Sequence, residues 1–138
     1  MTRVVDASVV VAALVDGGPT GRWAEGVLEQ GPLVAPHLMP VEVANILRRA
    51  ALAEEIDLDN AAVAHADLLD LRVELIPYAP VADRVWELRT NLTAYDAWYV
   101  ATAEALGVPL ATLDVRLAKA VGPRCRFLVP ESGDGSEE

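Results

Sequence analysis

Five short apolar runs, set apart by longer stretches of helical period, limit the fold of this 138-residue chain more than any other feature. The runs are Val4-Val5, Leu33-Val34-Ala35, Glu74-Leu75-Ile76, Pro109-Leu110-Ala111-Thr112 and Phe127-Leu128-Val129. Ser8 to Leu14 and Arg22 to Glu29 read as helices on either side of the turn Asp16-Gly17-Gly18-Pro19-Thr20-Gly21. After Pro36, Val41, Ala44, Leu47 and Ala51 recur at helical spacing, with Pro40 in the first turn. Asp57 to Leu71 forms the next helix, with Leu58, Ala61, Ala62, His65, Leu68 and Leu69 on its apolar side. Val81, Val85, Leu88 and Leu92 mark another. Thr93 then opens a helix that Gly107 closes, with Asp96 placed to complete a capping box. Asp114 to Val121 is the last. Short apolar strands alternating with helices predict an α/β fold, a mostly parallel sheet covered on both faces.

That length suits one domain, and an apolar content of 53% supports a packed core. Residues 1–129 are expected to form it. Residues 130–138 carry four acids, no base and no large apolar side chain, which predicts a disordered acidic tail. A single cysteine, Cys125, excludes an intramolecular disulfide framework. The opening residues show no secretory pattern and no apolar run is long enough to span a membrane, so a cytoplasmic location is expected.

The formal charge of −10 argues at first against nucleic acid, whose binders neutralise phosphates with a basic face. The charge is unevenly placed. Glu54 to Asp83 holds eight acids and only Arg72, whereas Arg116, Lys119, Arg124 and Arg126 form a stretch without an acid, and Arg48-Arg49 add a basic pair.

Four acids stand at the ends of elements. Ligands of open parallel sheets bind beyond the carboxyl ends of the strands. Asp6 follows the first strand, Asp114 lies just beyond the fourth, and Asp96 sits in the first turn of its helix. Glu42 opens the helix after the second strand, with Asn45 and Arg49 on the same face. Each acid has a structural use as well: Asp6 and Asp114 can cap helices, Asp96 can serve the capping box, and Glu42 can face solvent. Together, however, four gathered carboxylates repel one another, and hard cations with oxygen ligands relieve that repulsion. His37 and His65 are isolated, so zinc spacing is absent and Mg²⁺ or Mn²⁺, one ion or two, fits the donor set. Such a site supports phosphodiester hydrolysis by a metal-activated water. Ser8, Asn45 and Thr112 are placed to orient ligands or their waters. Arg116, Lys119, Arg48, Arg49, Arg124 and Arg126 are candidates to steer a phosphate backbone. Tyr95 and Trp98 can stack on bases or pack in the core.

The motifs in order, Val4-Val5-Asp6-Ala7-Ser8, Glu42-Val43-Ala44-Asn45, Thr93-Ala94-Tyr95-Asp96-Ala97 and Thr112-Leu113-Asp114-Val115-Arg116-Leu117, resemble those of PIN-domain endoribonucleases of the VapC toxin type. The resemblance covers residues 3 to about 129. It implies a three-layer α/β/α sandwich with Asp6, Glu42, Asp96 and Asp114 around Mg²⁺ or Mn²⁺. It also implies RNA as substrate, a cognate VapB-like antitoxin that occludes the site, and a homodimer.

Two other readings stand beside it. A haloacid-dehalogenase-like phosphatase wants Asp-x-Asp after the first strand, where Ser8 takes the second place. A response-receiver domain wants a phosphoacceptor after the third strand, where Glu74-Leu75-Ile76-Pro77-Tyr78 has no Asp. A PIN-like module that only binds a partner is the alternative from outside enzymes.

Overall fold

Parallel pairing orders the five strands β3-β2-β1-β4-β5 in the computed structural model, which describes residues 1–131. The strands are β1 (Arg3–Val5), β2 (Leu33–Pro36), β3 (Val73–Ile76), β4 (Leu110–Ala111) and β5 (Phe127–Leu128). Val4 lies between Val34 and Leu110, at the centre of the sheet. All pairings among the described residues are parallel, so every strand end of one polarity falls on one rim.

The connections carry α1 (Ala7–Val15), α2 (Pro19–Glu29), α3 (Met39–Leu52), α4 (Leu58–Asp70), α5 (Ala82–Glu87), α6 (Ala94–Leu106) and α7 (Val115–Ala118). From β1 the chain steps to β2 and β3 in one direction, then returns across the sheet to β4 and β5. Right-handed crossovers therefore put α1 to α4 on one face and α5 to α7 on the other. The packing agrees: α1 touches α2, α3 and α4, while α5 packs on α6 and α6 lies along β1, β2 and β4. The three-layer arrangement follows from strand order alone.

Val4, Val5, Val9, Val10, Val43, Val100 and Leu110 are fully buried and make the core continuous through the sheet. Burying a side chain of this kind contributes about 1.5–3 kcal/mol. No described helix is long and apolar enough to cross a membrane.

Several elements depart from the sequence expectation. Helix α2 starts at Pro19, not Arg22, because Pro19 fits the first helical position after Gly18. Gly21 therefore lies inside the helix. A Cβ there would stand 1.7 Å from the Asp16 carbonyl oxygen, so only glycine allows the end of α1 to approach α2 this closely. In α4 the buried residues are Ala64 and Leu68, while Leu58, Ala62, His65 and Leu69 face outward. Of the expected apolar side, Leu68 is buried where α4 packs on α1 and α3, and Ala64 joins it there. Helix α5 stops at Glu87, and Leu88 to Leu92 continue as hydrogen-bonded turns. Helix α7 ends at Ala118 rather than Val121. Asn91 and Arg84 take the carbonyls of Val121 and Gly122 at 3.0 Å each, which turns the chain toward β5. The expected acidic tail falls mainly on residues 132–138, outside the described residues.

Candidate functional site

Between β1 and β4 the chain leaves the sheet in opposite directions, and this switch point opens a crevice at the carboxyl rim. Asp6 occupies it. The residue is 8% exposed and caps α1, its Oδ1 accepting from the Val9 amide at 3.2 Å and from Ser8 Oγ at 2.5 Å. Its Oδ2 accepts from the Thr112 hydroxyl. Both hydroxyls also reach the chain beyond β4. Ser8 Oγ accepts from the Leu113 amide at 3.1 Å, and Thr112 Oγ1 from the Asp114 amide at 2.9 Å. Ser8 and Thr112 thus fasten the ends of β1 and β4 together around Asp6.

Asp114 is the N-cap of α7, with Oδ1 accepting from the Arg116 and Leu117 amides at 2.9 and 3.2 Å. Asp96 lies half-buried in the first turn of α6. Its amide donates to Thr93 Oγ1 at 3.1 Å, but its carboxylate does not return the bond that a capping box requires. That carboxylate is left facing the other acids. Glu42 lies in the first turn of α3, half-buried, and its Oε1 accepts from the Tyr99 hydroxyl at 2.5 Å.

Electrostatics link the four. Burial pushes the Asp6 carboxyl up, against the opposing hydrogen bonds from Ser8, Thr112 and Val9. Burial likewise raises Glu42; the Tyr99 bond opposes this, and the charges of Asp96 and Asp6 add to it. Asp96 is raised by burial, then by Asp114 and Asp6. Each acid therefore stands within the field of others, an arrangement that disfavours their simultaneous ionisation without a compensating cation. Among the described residues, no group of three or more Asp, Glu, His or Cys side chains is closed into a ready metal-holding cluster. The donor chemistry nonetheless suits a hard cation. All four groups are oxygen donors, and Asp96 has neither oxygen engaged in a hydrogen bond to the described residues.

The predicted basic residues divide. Arg116 and Lys119 are exposed at the two ends of α7, beside Asp114. Asn45 is exposed one turn beyond Glu42, and Arg48 and Arg49 lie toward the far end of α3. Arg124 and Arg126 precede β5, at the opposite rim of the sheet from Asp6. There the Arg124 amide donates to Glu104 at 2.6 Å, and the Arg126 carbonyl accepts from Leu110 at 2.9 Å. A cavity of ≈ 720 Å³ lined by Arg84, Glu104, Arg124 and Cys125 belongs to that opposite end and not to the carboxylates. Trp98 packs half-buried, edge-to-face with Tyr78 at 5.3 Å, whereas Tyr95 is exposed.

Tyr99 was not anticipated. Its place three residues after Asp96 is visible in the sequence, but its contact with Glu42 spans 57 residues and exists only in the folded chain.

A PIN domain family model matches residues 3–123. Ribonuclease VapC1 of Mycobacterium tuberculosis is 45% identical over 125 residues, covering 90% of this chain and 94% of the relative. Two solved structures share the fold. VapBC2 of Rickettsia felis, bound to a DNA fragment from their promoter, gives a TM-score of 0.66 at 14% identity, covering 94% of this chain and 98% of that one. The sarcin-ricin-loop-cleaving toxin VapC20 of M. tuberculosis gives 0.64 at 18% identity, covering 84% and 92%. Motif order, switch-point geometry and likeness along nearly the whole chain coincide, and the chain belongs to the PIN-domain family as a VapC-type toxin.

Proposed function

We propose that this protein is a Mg²⁺- or Mn²⁺-dependent endoribonuclease, the toxin of a toxin–antitoxin pair. The observation that carries the reading is the convergence of Asp6, Glu42, Asp96 and Asp114, from four separate elements, on the switch-point rim: burial raises the pKa of the first three, and neighbouring acid charges raise Glu42 and Asp96 further. The lone pairs left on their oxygens would hold one or two divalent ions. A bound ion supplies an acidified water and stabilises charge on the phosphate oxygens.

The remaining roles belong to the chain itself. Ser8 and Thr112 fix both oxygens of Asp6, so this carboxylate cannot rotate away. Asn45 is placed to orient a ligand water near Glu42. Arg116 and Lys119, beside Asp114, would take the RNA backbone next to the cut. Arg48, Arg49, Arg124 and Arg126 lie farther off and would act as long-range steering charges. Attack by water leaves a 5′-phosphate and a 3′-hydroxyl. The relatives support the setting: VapC1 is a ribonuclease and VapC20 a Sarcin-Ricin loop cleaving toxin. A VapB-like antitoxin that covers the rim, and a homodimer, belong to the same proposal.

Purified protein incubated with structured RNA and Mn²⁺ should cut it, and EDTA or the Asp6→Asn substitution should stop the cutting. Equal cleavage by wild type and Asp6→Asn would show that the carboxylate rim is not the active site. Partner binding without any cleavage would favour the silent-module reading.

A further inference from the structure

The Tyr99 hydroxyl joins two of the motifs through one short bond. Tyr99 is 2% exposed, so its phenol is held by the packing of α6 against the core. From there it donates to Glu42 Oε1 at 2.5 Å, across to α3. One side chain just past the third motif thus touches the second.

Glu42 is otherwise poorly held. It is half-buried, and no other hydrogen bond from the described residues reaches its carboxylate. A glutamate has three side-chain torsions, and without a fixed partner its carboxylate explores several directions.

We propose that Tyr99 is the positioning residue of the site: its bond to Oε1 fixes the direction in which Glu42 presents its carboxylate to a divalent ion. This rests on the metal-dependent reading above. It assigns Tyr99 a role through Glu42 and none in contact with substrate. It also separates two ways of holding a carboxylate in one site. Asp6 has both oxygens bonded by hydroxyls, whereas Glu42 has one oxygen bonded and one open.

The test is a double-mutant cycle read by Mn²⁺ binding, with calorimetric titration of the metal alone into wild type, Tyr99→Phe, Glu42→Gln and the double variant. Thermal melting run alongside reports folding. Loss of an outer partner to a metal ligand typically weakens binding about 10–100-fold. Tyr99→Phe should show a loss of that size, and it should add nothing in the Glu42→Gln background. Tyr78→Phe, which removes a phenol hydroxyl elsewhere on the same rim, should bind Mn²⁺ like wild type. Should Tyr99→Phe melt below the assay temperature, Tyr99→Met replaces it as a flexible filler of the same space. An equal loss in both backgrounds would reduce Tyr99 to a general packing role and overturn the proposal. So would an unchanged affinity in Tyr99→Phe. Wild type that binds no Mn²⁺ would overturn both this inference and the metal-dependent reading, whereas binding left intact by Tyr99→Phe overturns only the inference.

Discussion

At Asp6 one carboxylate meets two opposed demands. As a proposed metal ligand it must be ionised, yet burial favours its neutral form. The sign of the consequence is definite. A carboxyl whose pKa is higher in the folded than in the unfolded state contributes stability that is complete below the unfolded pKa and lost as pH rises through the folded one. Asp6, Glu42 and Asp96 all shift this way. In EDTA, Asp6→Asn should therefore melt higher than wild type at neutral pH, by a few degrees, with the gap closing as pH falls below the unfolded carboxylate range. An unchanged or lower melting temperature at neutral pH would show that Asp6 is not strained by its burial. The same residue should lose cleavage, a separation of stability from activity expected where like charges are gathered for function. Thr112→Val probes the support of Asp6. It removes a buried donor to Asp6 and the acceptor of the Asp114 amide, at a cost of about 1–3 kcal/mol. Cleavage should fall about 10–100-fold, measured at saturating Mn²⁺.

At the scale of elements, helix ends marked by a capping residue were legible, whereas the start of α2 and the ends of α5 and α7 were not. Thr93 and Asp57 cap their helices as residue type demands, and Gly107 closes α6 in the left-handed region at φ 67°. The face of α4 was only partly legible: Leu68 is buried as its spacing suggests, but the packing of α1 and α3 covers Ala64 and leaves Leu58 and Leu69 outside. Gly21 read as a turn residue because nothing local reveals that Asp16 returns to meet it. Gly21→Ala should lower stability by about 1–3 kcal/mol in chemical denaturation, since the Asp16 backbone must move. A second long-range tie anchors the far end of α6. Arg84 meets Glu104 through Nε at 2.6 Å and a second nitrogen at 3.2 Å, and Glu104 also accepts from the Arg124 amide. Burial pushes the Glu104 carboxyl up, but these bonds outweigh it and hold the carboxyl below its ordinary range. Its contribution is present above the unfolded pKa and lost as pH falls through the folded one. Glu104→Gln should thus cost about 1–2 kcal/mol at neutral pH and little in acid, checked by denaturation at both.

For the whole molecule, strand alternation and acids at strand ends were legible in the chain, and they carried the fold class and the four carboxylates. What was not legible depended on the tertiary path: the outward placement of Leu58 and Leu69 on α4, the placement of Arg124 and Arg126 on the rim opposite Asp6, and the bond from Tyr99 to Glu42. The net charge also changes meaning once it is located. Of 21 acids, four lie in residues 130–138 and four converge on the switch-point rim. Residues 1–129 carry 11 bases and 17 acids, a charge of −6, and two divalent ions at the rim would bring this to −2. An acidic protein can then engage RNA at one rim, where Arg116 and Lys119 flank the acids, and metal should be required for tight binding there. The most direct test is to sequence RNA 5′ ends in cells after induction of wild type and of Asp6→Asn. The metal-dependent ribonuclease account predicts discrete new 5′-phosphate ends with wild type alone. No new ends, or the same ends with both proteins, would contradict it.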